Sequence, residues 1–166
     1  SSQEIRALLA ARKSVQQAII NLELSMRGVL RNFGLKLGHV TRIRYEARVR
    51  ELVEQNDILS ASTEALLRAR AQLRVELAEL DAKIADLAKQ DDVCRLMMTM
   101  PGVGRIVALT VKAAIDDPTR FVRSKDVGPW VGLTPRRTQS GEMDIVGQIT
   151  RAGDRALRTA LYQAAM

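Results

Sequence analysis

Hydrophobic residues recur along the first part of the chain with the spacing of a long amphipathic helix. One heptad position holds Ile5, Ile19, Met26 and Phe33, with Arg12 as a polar exception. The position three residues later holds Leu8, Val15, Leu22 and Val29. An alternation of three and four residues over four heptads is typical of a coiled-coil seam. The pattern predicts a helix over residues 1–33, which ends where Gly34 and Gly38 follow.

A second helical stretch is predicted from about residue 42 to residue 89, with an interruption near Asn56 and Asp57. Leucine recurs every seven residues at Leu59, Leu66, Leu73, Leu80 and Leu87. The companion position is apolar at Leu77 and Ile84 but polar at Thr63 and Arg70. This narrow seam fits two helices that pair inside one chain, and it fits equally a seam that joins two chains.

The pattern changes near Asp91 and Asp92, where the heptads stop and glycine and proline become frequent. We therefore expect two parts, a helical linker and dimerising coiled coil over residues 1–90 and a compact domain over residues 91–166. The chain is poor in aromatic residues (3%), which argues against a β-sandwich and favours helices. The predicted fold class is all-α, with a long helical coiled-coil arm followed by a compact helical domain.

Composition narrows the function. The 166 residues carry a net charge of +7, and residues 1–50 alone carry ten Lys/Arg against three Asp/Glu. A basic balance favours a polyanionic partner. One cysteine, Cys94, and one histidine, His39, exclude a disulfide framework and a Cys- or His-rich metal site, so no metal ligands are predicted in this chain. No apolar run is long enough for a membrane span, and a cytoplasmic setting is expected.

Four arginines directly precede the leucine repeat, namely Arg42, Arg44, Arg48 and Arg50. This order resembles a DNA-binding basic region that leads into a zipper. Glu46 and Glu51 interrupt the charge, which favours the alternative of a solvated basic helix face.

A Met-Pro-Gly-Val-Gly segment at residues 100–104 joins two short apolar stretches. This order predicts a helix-hairpin-helix over about residues 95–115. Its glycines would let the backbone approach a phosphate, and the second helix would offer free N–H groups. The predicted phosphate contacts are Gly102, Val103, Gly104, Arg105 and Lys112. The alternative is a tight turn whose glycines serve packing only.

Ser140 precedes a glycine in a predicted polar loop at about residues 133–145, shortly after Arg136 and Arg137. A hydroxyl beside guanidinium groups can attack a phosphodiester while the cations stabilise the charged phosphorus. Further predicted nucleic-acid contacts are Arg151, Arg155 and Arg158. From the residues alone, a Ser-Gly pair is more often an ordinary turn.

The combination of these segments resembles the IS110 (IS116/IS902-like) insertion-sequence transposase family. Residues 96–165 carry the resemblance in Met-Pro-Gly-Val-Gly, Val-Gly-Leu-Thr-Pro at 131–135, Gln-Ser-Gly at 139–141 and Ile-Thr-Arg-Ala-Gly-Asp-Arg at 149–155. Segments at 5–12 and 26–35 are similar to the linker of that family. The resemblance implies a DNA transposase or recombinase in which Ser140 is the catalytic nucleophile that forms a phosphoserine link to DNA.

The resemblance also implies an N-terminal domain that residues 1–50 do not match. Family members carry an N-terminal RuvC-like domain with an acidic Mg²⁺ site, a dimerising coiled coil and, in some cases, a guide RNA. Residues 1–50 hold only Glu4, Glu23 and Glu46 as acids, in a helical pattern, so we expect a C-terminal fragment that is inactive alone. Expected partners are DNA, a guide RNA and further copies in a homodimer or larger homo-oligomer, in the bacterial cytoplasm at the nucleoid.

Two other functions stay open at this point. The chain could be a non-catalytic dimeric module that binds nucleic acid, or a coiled-coil assembly protein. The compact C-terminal part argues against the second of these.

Overall fold

The computed structural model describes residues 1–166 and is mostly helical. The helix expected over residues 1–33 is present, and the second helical stretch is interrupted near Asn56 as expected. The helices are α1 (Ser2–Asn32), α2 (Tyr45–Val53), α3 (Asp57–Gln90), α4 (Asp92–Met97), α5 (Arg105–Ile115), α6 (Val127–Val131) and α7 (Arg155–Ala165). Short 3-10 turns cover Pro118–Arg120 and Ser124–Asp126. No helix is both long and apolar enough to cross a membrane.

The chain forms two compact units. Unit 1 comprises Ser1–Leu9 and Lys83–Met166, and unit 2 comprises Ala10–Ala82. The division into a linker and coiled coil (1–90) and a compact domain (91–166) was made from the sequence pattern, and it remains a prediction.

The core of unit 2 combines the end of α1, the following loop, α2 and the first half of α3. Its buried members are Met26, Leu30, Leu37, Tyr45, Val49, Val53, Leu59 and Leu67. Leu66 packs against this core, so part of the leucine repeat is used inside the chain. A seam between chains therefore remains a prediction, and a coiled-coil arm is not established.

The polar positions of the heptad pattern are buried in α3. Thr63 is 1% exposed and satisfies its hydroxyl by donating to the carbonyl of Leu59 at 2.9 Å. Arg70 is 2% exposed and donates from Nε to Glu23 at 2.7 Å and from Nη1 to Glu46 at 3.1 Å. Its guanidinium also lies 4.4 Å from the ring centre of Tyr45. A buried charge is tolerated when it is paired and hydrogen-bonded, and both conditions are met here.

Unit 1 has two small cores. One combines Ile84 and Ala88 of α3 with Cys94, Ala108 and Leu109, and the first residues of α1 pack against it. The other joins α5, α6 and α7 through Ala114, Val131 and Leu157. Arg6 of α1 caps the end of α5 by donating to the carbonyl of Ala113 at 3.0 Å.

The expectation of an all-α fold is wrong in one segment. Where a polar serine loop was expected, β1 (Pro135–Ser140) and β2 (Met143–Ile149) form an antiparallel hairpin. All thirteen residues of the two strands are exposed, so the first strand has no buried face and no apolar alternation to reveal it. The two-residue turn between the strands sets how the strands pair, because the hydrophobic pattern does not.

The buried arginine gives a test of what holds unit 2 together. Arg70→Ala leaves Glu23 without its cation and Glu46 with only the exposed Arg50 at 3.9 Å, and we expect the free energy of unfolding to fall by about 3 kcal/mol in urea titrations. Arg50→Ala is the matched control, because Arg50 pairs with Glu64 at 3.0 Å on the surface and should cost less than about 1 kcal/mol. Equal losses in the two variants would contradict this account.

Candidate nucleic-acid interface

Ser140 occupies the last position of β1, at the tip of the hairpin. It pairs with Met143, and Gly141 and Glu142 form the turn between them. Gly141 has a φ of +56°, a conformation that glycine adopts without a steric penalty. The serine is exposed, so its hydroxyl faces solvent at the end of a protruding element.

Side-chain alternation divides the hairpin into two faces. Arg136 and Thr138 share the face of Ser140, together with the cross-strand partners Met143 and Ile145. The second face carries Arg137, Gln139, Asp144 and Val146. The register shifts between Pro135 and Arg137, where three steps of β2 oppose two steps of β1. The serine therefore has one arginine on its own face.

Arg137 on the other face is held by a carboxylate. It donates from Nε to one oxygen of Asp144 at 2.7 Å and from Nη2 to the other at 2.5 Å. This two-point contact is the strongest geometry for an arginine and a carboxylate. The hydrogen bond from Arg137 lowers the pKa of Asp144, and the same bond raises the pKa of Arg137. Arg137 is thus partly neutralised within the hairpin.

The two ends of the hairpin meet at what we call the hairpin base, residues 131–134 and 150–153. Backbone bonds join Thr150 N–H to the carbonyl of Thr134 and Arg151 N–H to that of Gly132, both at 3.0 Å. Gly153 packs so closely that a Cβ there would lie 2.2 Å from the carbonyl oxygen of Trp130. The Val-Gly-Leu-Thr and Arg-Ala-Gly segments of the sequence therefore meet in space.

Arg158 reinforces the hairpin base. From α7 its Nη1 donates to the carbonyls of Val131 at 3.0 Å and Gly153 at 2.5 Å. Asp154 begins the same helix and accepts from the N–H groups of Ala156 and Leu157. Both residues thus have positioning roles that the sequence interpretation did not assign, and a nucleic-acid contact by Arg158 remains a prediction.

The turn between α4 and α5 is packed against the last helix. A Cβ on Gly102 would lie 2.0 Å from the carbonyl oxygen of Ala164, and the residue has a φ of +80°. Val103 is half-buried in the core around Cys94. Gly104 is the N-cap of α5, with open space where a Cβ would lie, and Arg105 is exposed. The packing alternative thus accounts for Gly102, and the helix-hairpin-helix assignment stays a prediction.

The other predicted contacts fall into two groups. Lys112 is committed to an ion pair with Asp91, whose carboxylate also accepts the N–H of Cys94 at the start of α4. Arg151 and Arg155 are exposed, and Arg151 lies in the hairpin base with a φ of +56°. Arg136, Arg151 and Arg155 are thus exposed cations on or next to the hairpin.

Comparison with known proteins finds one family model that matches the C-terminal part of the chain. Residues 94–166 match the model of the Transposase IS116/IS110/IS902 family. This segment is similar to that family. It contains the turn at Gly102, the whole hairpin and α7, so the resemblance expected from the sequence is confirmed.

Similarity extends to curated proteins over nearly the whole chain. The transposase for insertion sequence element IS1111A of Coxiella burnetii is 29% identical over 98% of this chain and 46% of its own length. A probable family 20 transposase of Pseudomonas aeruginosa is 29% identical over 98% of this chain and 50% of its own length. The transposase for element IS1328 of Yersinia enterocolitica is 25% identical, over 98% and 49%. The chain spans about half the length of these relatives.

One surface cluster within residues 94–166 was missed by the sequence interpretation. Arg120 lies 4.3 Å from the ring centre of Trp130 and 5.0 Å from that of Phe121, and the two rings meet edge to face at 5.3 Å. Stacking of a guanidinium on aromatic faces is favourable at a surface. The three residues lie ten positions apart at most, but no regular spacing marks them as neighbours.

The Mg²⁺ that the resemblance implies finds no fitting ligand set here. No group of three or more His, Cys, Asp or Glu side chains is close enough to hold a metal ion.

The role of Gly102 can be tested by stability. Gly102→Ala brings a methyl group against the backbone of Ala164 at positive φ, so we expect the free energy of unfolding to fall by more than about 2 kcal/mol. Gly104→Ala is the control, because nothing lies within 4 Å of its Cβ position and the cost should stay below about 1 kcal/mol. Thermal unfolding of both variants measures the difference, and an unchanged Gly102→Ala protein would refute the packing role.

The Arg137–Asp144 pair predicts a titration. In a carboxyl-carbon NMR titration the pKa of Asp144 should lie below its ordinary range and return toward it in Arg137→Gln, because the first cause of the shift is the Arg137 hydrogen bond. Because the pKa of Asp144 is lowered in the folded chain, its contact with Arg137 stabilises the hairpin fully at pH values above the ordinary pKa of an aspartate. This stabilisation is lost as the pH falls through the lowered pKa. Asp117, whose pKa is lowered by Thr119, serves as the internal reference and should not change.

Proposed function

We propose that this chain is the C-terminal part of a DNA transposase that cuts and rejoins the strands of an insertion sequence. The family that residues 94–166 match, and the transposases to which the chain is similar, support the class of activity. The observation that carries the proposal for this chain is the position of Ser140. A hydroxyl at the exposed tip of a hairpin can reach the backbone of a bound duplex.

The proposed reaction uses Ser140 as the nucleophile. Its Oγ attacks a backbone phosphorus, and the new Oγ–P bond forms as the bond from phosphorus to one strand oxygen breaks. The hydroxyl proton passes through a base or water to the departing strand oxygen, which leaves as a hydroxyl. Attack by a strand hydroxyl on the phosphoserine then restores the serine and joins DNA, so the number of phosphoester bonds is conserved. Arg136, on the face of Ser140, is proposed to stabilise the added negative charge at phosphorus.

Binding is proposed to depend on exposed groups around the hairpin and on the turn before α5. Arg151 and Arg155 are exposed near the hairpin base, and Gly104 and Arg105 are exposed at the start of α5. Such phosphate contacts would position DNA without reading its sequence.

The remaining parts of the activity are proposed for the longer protein. A RuvC-like domain with Mg²⁺ would lie in the half that the relatives have and this chain does not span. A guide RNA, assembly into a homodimer or larger homo-oligomer, and a place in the bacterial cytoplasm belong to the same proposal.

A second candidate is a non-catalytic module that binds nucleic acid. It is favoured by the engagement of three predicted cations, because Lys112, Arg137 and Arg158 all have partners inside the chain. The serine's face then carries a single arginine, which is sufficient for binding but sparse for stabilising a charged phosphorus.

Replacement of the serine separates the two candidates. In the complete transposase, Ser140→Ala should lower strand cleavage and joining by at least about 10³-fold while the Kd for DNA changes less than about twofold. Thr138→Ala is the matched control, since Thr138 is a hydroxyl residue on the same face of β1 and should retain activity. Cleavage and joining are read on labelled DNA, together with recovery of the covalent protein–DNA adduct. Full recombination by Ser140→Ala would favour the binding module.

A further inference from the structure

Unit 2 contains two adjoining open cavities. The first has a volume of about 400 Å³ and lies among α1, α3 and the loop before α2. The second has a volume of about 630 Å³ and lies against the loop at residues 36–40. Arg27 and Val40 line both cavities, so the two are neighbouring parts of one surface, which we call the unit 2 groove.

The lining of the unit 2 groove is strongly basic. Its charged side chains are six Lys or Arg residues and two carboxylates, with His39 in addition. The cations are Arg27, Arg31, Lys36, Arg42, Arg70 and Arg74. From Leu24 to Tyr45 the sequence contains no Asp or Glu, which explains why one side of the groove has no acidic residue.

Both carboxylates of the groove are already bound by other contacts. Glu23 accepts from the buried Arg70 at 2.7 Å, and Asp81 accepts from Arg12 at 2.6 Å. All ion pairs within unit 2 are made by Arg12, Arg48, Arg50 and Arg70. The other five cations of the groove therefore have no carboxylate within 4.0 Å.

These cations are also close to one another. Burial and then the positive charges of Arg70 and Arg42 lower the pKa of Arg74. Arg27 donates to the carbonyl of Gly38 at 3.0 Å, which holds its guanidinium at the junction of the two cavities. Like charges gathered without counterions are unfavourable, and a bound anion would relieve their repulsion.

We propose that the unit 2 groove binds the phosphate backbone of a nucleic-acid strand. Its extent over two cavities that share Arg27 and Val40, and the spacing of Arg27 and Arg31 by one turn of α1, suit a linear polyanion better than a single phosphate ion. The choice of nucleic acid rests on the proposed function, and the inference extends that function by assigning phosphate contacts to a unit that lies outside residues 94–166.

The test compares two charge-matched triple variants of the 166-residue chain. Arg31→Gln/Arg42→Gln/Arg74→Gln removes three groove cations that have no ion-pair partner. Arg48→Gln/Arg50→Gln/Arg68→Gln removes the same charge from residues of unit 2 outside the groove. The probe is a fluorescein-labelled 30-base-pair DNA duplex, and Kd is measured by anisotropy at several salt concentrations. A single-stranded RNA of the same length and inorganic phosphate form two further arms.

The groove variant should raise the Kd for the nucleic acid at least tenfold, whereas the control variant should raise it less than threefold. Each lost phosphate contact lowers the slope of log K against log salt by about 0.7–0.9, so the groove variant should reduce the slope by about two units. The Kd values for the DNA duplex and the single-stranded RNA show which nucleic acid the groove binds more tightly. Thermal unfolding of both variants confirms that they are folded, and the groove variant should be no less stable because repulsion is relieved.

Three outcomes would overturn the inference. Equal losses in the two variants would show a general charge effect, and an unchanged Kd in the groove variant would show that phosphates bind elsewhere. Complete competition by millimolar inorganic phosphate would show a site for the free ion. In each of these cases the wild-type chain still binds DNA, whereas a wild-type chain that binds neither DNA nor RNA would count against the proposed function itself.

Discussion

The close contact at the hairpin base is the constraint on which the candidate site depends. Every residue of the two strands is exposed, so burial contributes little to the hairpin, and an isolated two-stranded hairpin is marginally stable in water. What fixes its ends is backbone contact around Gly153 and the two carbonyl bonds of Arg158. Through α7, this contact links the position of Ser140 to the small core around Leu157.

Much of the helical structure follows from the sequence because it depends on local spacing. The 3–4 alternation through Met26 places α1, and the heptad leucines place α3. The same pattern misjudges which positions are buried, since Thr63 and Arg70 are more buried than Leu73 or Leu80. A hydrophobicity pattern records preference, whereas burial of Arg70 depends on Glu23 and Glu46, which are far away in the sequence.

The candidate site was only partly predictable. Ser140 was found by its chemistry beside glycine and arginines, but the strand that carries it, β1, has no apolar alternation. Some of the predicted cations are exposed, and others are engaged by partners inside the chain. No local sequence rule identifies these partners, such as Asp144 for Arg137 and backbone carbonyls for Arg158. Gly102 was selected for phosphate binding, and its need for a small side chain arises instead from the backbone of Ala164.

Arg70 has an effect on alignment as well as on stability. A helix with leucine at every seventh residue can slide along its neighbours by one heptad and still place leucine against the same surface. The guanidinium at position 70 removes this ambiguity, since such a slide would bring Leu77 or Thr63 to the two carboxylates and leave the charges unmatched. The ion pairs of Arg70 with Glu23 and Glu46 thereby select one register from the several that the leucine repeat alone would permit.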